Sequence, residues 1–177
     1  MQVTLVVIFI GSIALAEMVT IHRHGGMSGR PGDWHFDPVT LHLPEGWQCI
    51  KQNHGTVLFV MQEAEDAEHE GRRLTCYRNQ ADRDMPPKQF LRANNLVDRS
   101  DRLGEAAVLL SISGQPTAVF AVERGDDPED REVRLLACCA RPTGFVITFV
   151  LECPNTVDPN GDLHAFLEIL KTVQIKD

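Results

Sequence analysis

Positive charge is in short supply in this sequence: 17 lysines and arginines face 25 aspartates and glutamates, for a formal net charge of −8. A chain of that sign lacks the basic groove that holds a phosphate backbone, which argues against nucleic acid as a partner. Cysteine is scarce as well. Five cysteines, an odd number scattered over 177 residues, do not make a disulfide scaffold. Internal repeats and low-complexity segments are absent, and so are the commonest catalytic signatures. Gly26-Met27-Ser28 runs on into Gly29-Arg30 instead of closing a G-x-S-x-G elbow, and no P-loop ends in Gly-Lys-Ser/Thr. The glycines at 25–32 have no strand before them to aim them at a pyrophosphate. His69-Glu70 opens like a zinc-protease helix, but Arg73 stands where the second histidine belongs. With 43% hydrophobic and 24% charged residues, what is present is an ordinary globular composition. It excludes a mostly disordered chain, a coiled coil and a multi-span membrane protein.

Charge is missing altogether from residues 1–16, MQVTLVVIFIGSIALA. As a secretory signal peptide, Val3 to Leu15 is the hydrophobic stretch and Ala14-Leu15-Ala16 the small-x-small cleavage site before Glu17. As a transmembrane helix, the run continues through Ile21, and about 20 residues at 1.5 Å each span a hydrocarbon core of roughly 30 Å. Both stand as expectations for residues 1–21, an N-terminal apolar helix in either case. Arg23 and Arg30 follow the segment with no Lys or Arg before it, so a retained anchor leaves the domain on the cytoplasmic side and a cleaved one places it outside.

Residues 22–36, HRHGGMSGRPGDWHF, show no period and read as a Gly-rich linker, with a single domain over 37–177. Val39, Leu41 and Leu43 alternate with Thr40 and His42 as in a half-buried strand, ended by Pro44-Glu45-Gly46. Further strands are expected at Trp47 to Lys51, Thr56 to Gln62, Arg72 to Arg78, Ala106 to Ser113, Pro116 to Glu123, Glu132 to Arg141 and Phe145 to Cys153. Pro86-Pro87 opens an amphipathic helix of about 15 residues stopped by Gly104. A second helix runs from Leu163 to Lys171, with Asp162 as its N-cap and Leu163, Phe166, Leu167 and Leu170 as its apolar face. The fold class is α+β: a mostly antiparallel sheet of about seven to eight strands flanked by two helices.

VTLHLPEGW at 39–47, the strand–helix–strand–helix order and FLEILKTVQI at 166–175 resemble the PsbP-like and Mog-like α/β/α sandwich, including the DcrB-like proteins. The resemblance spans Asp37 to Ile175 and rests on structural punctuation, so it carries no site residues with it. It implies a small, often exported or lipid-anchored, non-enzymatic protein that works as an accessory subunit, assembly factor or chaperone-like binder. Ala14 to Met18 contain no cysteine, so the lipid anchor of such relatives has no attachment point here.

The chemistry-bearing residues read mostly as structural. Cys138 and Cys139 are adjacent in a strand and point to opposite faces, so they do not chelate one metal. A hairpin loop at Pro142-Thr143 sets Cys138 opposite Ile147, Cys139 opposite Val146 and Cys153 opposite Glu132, roughly 20 Å away and beyond disulfide reach. Cys49 and Cys76 flank Leu58 on its two sides, again too far apart to bond. All five therefore read as small buried hydrophobes with free thiols. His22, His24 and His35 are the only local histidine cluster, with Asp33 as its one carboxylate. Asp158, Asn160 and Asp162 have the spacing that opens a calcium loop, but Gly161 is misplaced and Ile169 stands where the closing Glu belongs, so DPNGD reads as a turn and helix cap. His164 reads as a surface residue.

No catalytic, cofactor-binding or metal site is assigned, and no cofactor is expected. The expected function is that of a non-enzymatic interaction domain, membrane-tethered or exported to the cell envelope, serving as accessory or assembly subunit of a membrane protein complex. Its contact surfaces are the acidic stretches 63–70 and 125–132 or an uncovered sheet face. The alternatives are a small-ligand or chaperone-like binder and a thiol hydrolase using Cys139 with a histidine.

Overall fold

The computed structural model describes residues 22–24, 32–53, 56–61, 71–81, 85–101, 103–124, 132–140 and 144–176. The apolar segment 1–21 and its two readings lie outside these residues. Among the described residues, no helix is long and apolar enough to cross a membrane.

The chain runs β1 (His22–His24), β2 (Gly32–Phe36), β3 (Val39–Leu43), β4 (Trp47–Asn53), β5 (Thr56–Met61), β6 (Arg73–Gln80), α1 (Pro87–Ala93), β7 (Val108–Ile112), β8 (Gln115–Arg124), β9 (Glu132–Ala140), β10 (Phe145–Pro154), α2 (Pro159–Lys171) and β11 (Gln174–Ile175). The strands form two sheets instead of the single one expected, a small sheet in the order β1-β2-β3-β11 and a large one in the order β4-β5-β6-β10-β9-β8-β7. Every pairing is antiparallel, as the short connections require.

Two parts of the segment expected to be a linker, 22–24 and 32–36, are strands of the small sheet, and 25–31 lie outside the described residues. Gly32–Phe36 pairs with β3, and His22–His24 pairs with β2. Trp34 and Phe36 bury beside Val39, Leu41 and Leu43, while Asp33, His35, Thr40 and His42 alternate away from the core. The alternation in Asp33-Trp34-His35-Phe36 is only two pairs long, too short for a period to declare itself among neighbouring glycines. Gly46, at φ 96°, takes the left-handed turn that carries the chain from this sheet into the large one. β11 closes the other edge of β3, fixed by Ile175 N–H to Ser113 Oγ at 2.8 Å and Lys176 N–H to the Pro38 carbonyl at 2.9 Å.

In the large sheet, Ile112 opposes Gln115 across the two-residue turn Ser113-Gly114, whose φ values of 48° and 76° are those of a type I′ hairpin. The β9–β10 hairpin has a longer loop than Pro142-Thr143, with Gly144 at φ 80°, and the register moves by one residue from the expected one. Cys138 lies opposite Thr148, Cys139 opposite Ile147 and Cys153 opposite Val133. Cys49 faces Phe59, because a bulge between Cys49 and Lys51 shifts the β4 register, and Cys76 faces Val57.

Each face of the large sheet has its own core. On one, Leu74, Val119, Leu135, Ile147 and Phe149 pack under the small sheet and under Phe166, Ile169 and Leu170 of α2. On the other, Phe120, Leu136, Val146 and Val150 receive Phe90 and Leu91 of α1. α1 is half the expected length. Asn95 adopts φ 54°, Leu96 N–H bonds to the Leu91 carbonyl at 2.9 Å, and Asn95 N–H bonds to that of Arg92 at 3.2 Å. This Schellman-type stop ends the helix well before Gly104. α2 is longer than expected: Asp158, not Asp162, caps it by accepting from Gly161 N–H at 3.0 Å, and Pro159 holds the first helical position.

Candidate functional site

α1 is too short to cover its face of the large sheet, and beyond its apolar footprint the strands turn to charge. Arg73 on β6 and Arg134 on β9 both stand in register with Glu152 on the β10 strand between them. These three lie two residues along from Thr75, Val150 and Leu136, and so on the same face. Glu152 accepts from Arg134 Nη2 at 3.0 Å and pairs with Arg73 Nε at 3.5 Å, and Arg134 Nε donates to Glu132 at 2.8 Å. On β8, Arg124 lies in register with Glu132 and turns to the segment after α1. It grips Asp101 with Nε at 3.0 Å and with Nη2, which also reaches Asp98 at 2.7 Å. That two-pronged contact is the strong guanidinium–carboxylate geometry. The hydrogen bond from Arg124 holds the Asp101 carboxyl below its ordinary value, and the same bond raises the guanidinium.

The result is a ladder of three guanidiniums and four carboxylates across four strands. With Glu152 at 21% and Arg134 at 24% side-chain exposure, the ladder is neither sealed in the core nor fully in water. Each of these groups has a partner of opposite sign, so none is poised as a general base. Paired, half-shielded charges make this end of the sheet face polar, where the rest of it is apolar.

A second charged cluster ties α2 to the opposite face. Asp162, fully buried, accepts from Arg72 Nη2 at 2.6 Å and from the Thr156 hydroxyl. The neighbouring Cys153 thiol is pushed up to about 12, by burial first and by the Asp162 charge second. Removing one partner of such a buried pair strands the other, so this cluster anchors the helix.

The cysteines behave as the sequence suggests. Cys76, Cys138, Cys139 and Cys153 are buried, and none of the five cysteines is in a disulfide. Burial raises Cys76 well above its ordinary value and Cys138 to about 12. A nucleophilic thiol needs the opposite shift. Cys139, proposed as the nucleophile of a hydrolase, is fully buried and has Thr117 and Ile147 opposite it in register, with no histidine there.

His35 shares a hydrogen bond with Thr40, and His42 Nδ1 pairs with Asp33 at 2.8 Å. His164 is exposed on α2. Of the calcium-like trio, Asp158 is the cap and Asp162 is spent on Arg72 and Thr156. Among the described residues, no three His, Cys, Asp or Glu side chains already form a metal-holding group. The acidic stretches 63–70 and 125–132, with His69 and Glu70, lie outside the described residues except for Glu132.

The ladder was not among the sequence expectations. Its signal is present, since Glu132, Arg134 and Glu152 interrupt otherwise apolar strands. Reading them together requires the β9–β10 register.

No family model matches the chain, and no curated protein matches it by sequence. Solved structures do. The Ran-binding protein Mog1p of Saccharomyces cerevisiae superimposes with a TM-score of 0.59 at 11% identity, covering 85% of this chain and 97% of that one. LpqN of Mycobacterium tuberculosis, involved in cell envelope biogenesis, gives 0.55 at 13% identity, covering 89% and 91%. The cyanobacterial PsbP of Synechocystis sp. PCC 6803 gives 0.52 at 16% identity, covering 94% and 99%. Likeness at these identities is likeness of fold, and it joins the two-sheet, two-helix architecture to the strand and helix order seen above. The chain therefore has the fold of the PsbP-like and Mog-like proteins.

Proposed function

We propose that the protein is a non-enzymatic interaction domain, tethered to or exported across a membrane, that serves as an accessory or assembly subunit of a membrane or envelope complex. The observation that carries this reading is the charged ladder of Arg73, Glu152, Arg134, Glu132 and Arg124 on the sheet face that α1 leaves uncovered. A partner surface carrying both signs of charge meets complementary groups there without having to dismantle the apolar core. The fold neighbours lend support, since one is described as Ran-binding and another as involved in envelope biogenesis. The charge-free run at 1–16 supports delivery to a membrane, either as anchor or as cleaved signal. Buried thiols with raised ionisation speak against the hydrolase alternative.

The test is recovery of the intact chain from its native membranes, with the mass of the mature species measured alongside. The expected outcome is co-purification with a defined larger complex, reduced at least tenfold by joint Glu132→Gln and Arg134→Gln replacement in a variant of unchanged circular dichroism. A free monomer, or a complex indifferent to the double replacement, counts against the reading.

A further inference from the structure

β7 ends the large sheet, and among the described residues nothing pairs with its outer side. Its hairpin with β8 decides which backbone groups are left open. Ile112 and Gln115 close the two-residue turn as a hydrogen-bonded pair, so Leu110–Thr117 and Val108–Val119 are bonded pairs too, and the alternate residues Leu109 and Ser111 turn their N–H and C=O groups away from β8. Pro116 fits the same phase, since it stands opposite Ser111, where no bond crosses the hairpin and a missing N–H costs it nothing. At the start of the strand, Ala107 N–H bonds to the Val119 carbonyl at 2.7 Å, so the open row is confined to Leu109 and Ser111.

Sheet edges are ordinarily guarded by lysine, proline or an inward-pointing charge. β7 has none of these: AAVLLSIS at 106–113 contains no charge and no proline, and Leu109 is 78% exposed. The two sides of the strand differ. Val108, Leu110 and Ile112 pack with the core beneath α2 and the small sheet, whereas Leu109, in register with Ala118, lies on the α1 side.

These features are self-complementary. The open groups lie symmetrically about Leu110, so a two-fold axis through that residue, perpendicular to the sheet, sets Leu109 of each copy against Ser111 of the other, each pair exchanging both of its backbone bonds. On the core side, Leu110 meets its own counterpart and Val108 meets Ile112 of the second copy, which carries the apolar layer under the sheet from one molecule into the next. On the α1 side, the two exposed Leu109 side chains approach diagonally and cover one another. A net charge of −8 opposes the approach of two copies, and a charge-free strand is where that opposition is smallest.

We propose that β7 is a dimerisation edge: it pairs antiparallel with β7 of a second copy about a two-fold axis at Leu110, joining the two seven-stranded sheets into one. The pairing uses none of the charged ladder, which lies on β6, β10, β9 and β8.

The test is analytical ultracentrifugation of the full 177-residue chain in mild detergent, over a concentration series reaching roughly 0.1 mM. A monomer–dimer equilibrium is expected. Leu109→Pro, which removes an outward N–H at a position where an edge strand tolerates proline, and Leu109→Lys, which places a charge on the edge, are each expected to raise the dissociation constant at least tenfold. Joint Glu132→Gln and Arg134→Gln replacement leaves it unchanged, so failure of the dimer and failure of the interaction reading are told apart. Leu110→Cys places two thiols at a non-bonded pair whose Cα spacing of about 4.5 Å suits a disulfide. Under mild oxidant that variant is expected to cross-link to a dimer, and His164→Cys, on the exposed side of α2, is not. The proposal is overturned by a chain that stays monomeric throughout the series, by a dimer that both Leu109 variants leave intact, as one held through residues 1–21 would be, or by cross-linking of Leu110→Cys no better than that of His164→Cys. A purified chain that is monomeric, yet loses a foreign protein from its native complex on Leu109→Pro replacement, overturns self-pairing in favour of a partner's strand. Circular dichroism and urea midpoints of each variant separate a lost edge from lost folding, and the parent chain's own concentration dependence needs no variant.

Discussion

The thiols of Cys76, Cys138 and Cys153 titrate above their ordinary range because the folded state buries them. The unfolded chain releases these protons near the ordinary cysteine value of 9.0, while the folded chain holds those of Cys138 and Cys153 to about 12. Their contribution to stability is therefore complete below the unfolded value and is lost as pH rises from there through the folded one. Denaturation midpoints in urea are expected to fall across that alkaline window, and joint Cys138→Ala and Cys153→Ala replacement flattens the slope. At neutral pH, alkylation of the four buried thiols is expected to proceed only as fast as the protein opens. Rapid native-state labelling of Cys138 or Cys139 would revive the hydrolase reading. Asp101 has the opposite sign. Arg124 depresses its ionisation, so the pair stabilises the fold above the ordinary carboxylate range, and that stability is lost as pH falls through the lowered value. Asp101→Asn is expected to flatten the acid limb of a pH–stability profile and to leave the alkaline limb alone.

At the scale of elements, α2 depends on a cap that its own glycine protects. A β-carbon at Gly161 would collide with the carboxylate of Asp158, the group that receives the Gly161 N–H. Asp158→Ala is expected to cost about 1 kcal/mol. Gly161→Ala, which in an open helix position gains up to about 1 kcal/mol, is expected to gain nothing here. In the Asp158→Ala background the same substitution recovers its gain, and a double-mutant cycle by urea denaturation reads the difference. The sequence pattern points to Asp162 for that cap, four residues late, whereas most of the strands are legible. Strands β3 to β10 follow from alternation and from turn residues such as Ser113-Gly114 and Pro44-Glu45-Gly46, because those signals are local. The end of α1 was harder to see: Asn95 stops the helix by a left-handed backbone and two carbonyl bonds, while the apolar spacing around it continues to suggest helix. The ladder depends on a register that shifts by one residue with the length of the β9–β10 loop, a nonlocal quantity. β1 and β2 escaped notice because strands this short gain their stability from the partner they pair with.

For the whole molecule, the large sheet is a wall with a core on each side, and the two are not equally thick. Phe149 is fully buried beneath α2 and the small sheet, whereas the α1 side is covered by a seven-residue helix and the segment that follows it. Phe149→Ala is expected to cost about 3–5 kcal/mol, a large share of the roughly 5–15 kcal/mol that holds a domain together. Equilibrium urea unfolding gives the number directly. The charged end of the α1 face tolerates change far better. Asp98→Asn, at an exposed partner of Arg124, is expected to shift stability by no more than about 1 kcal/mol. The face proposed for recognition can therefore vary its charges at small cost to the fold.

β11, only two residues long, pairs with β3. It is also the last of these strands to be synthesised. While the chain is being made, β3 has its neighbour on one side and an open row of backbone donors and acceptors on the other, the kind of edge that recruits foreign strands. Gln174 and Ile175 therefore act as a latch that reaches β3 only after every other strand of the small sheet has been made, and a chain cut before them leaves that edge exposed.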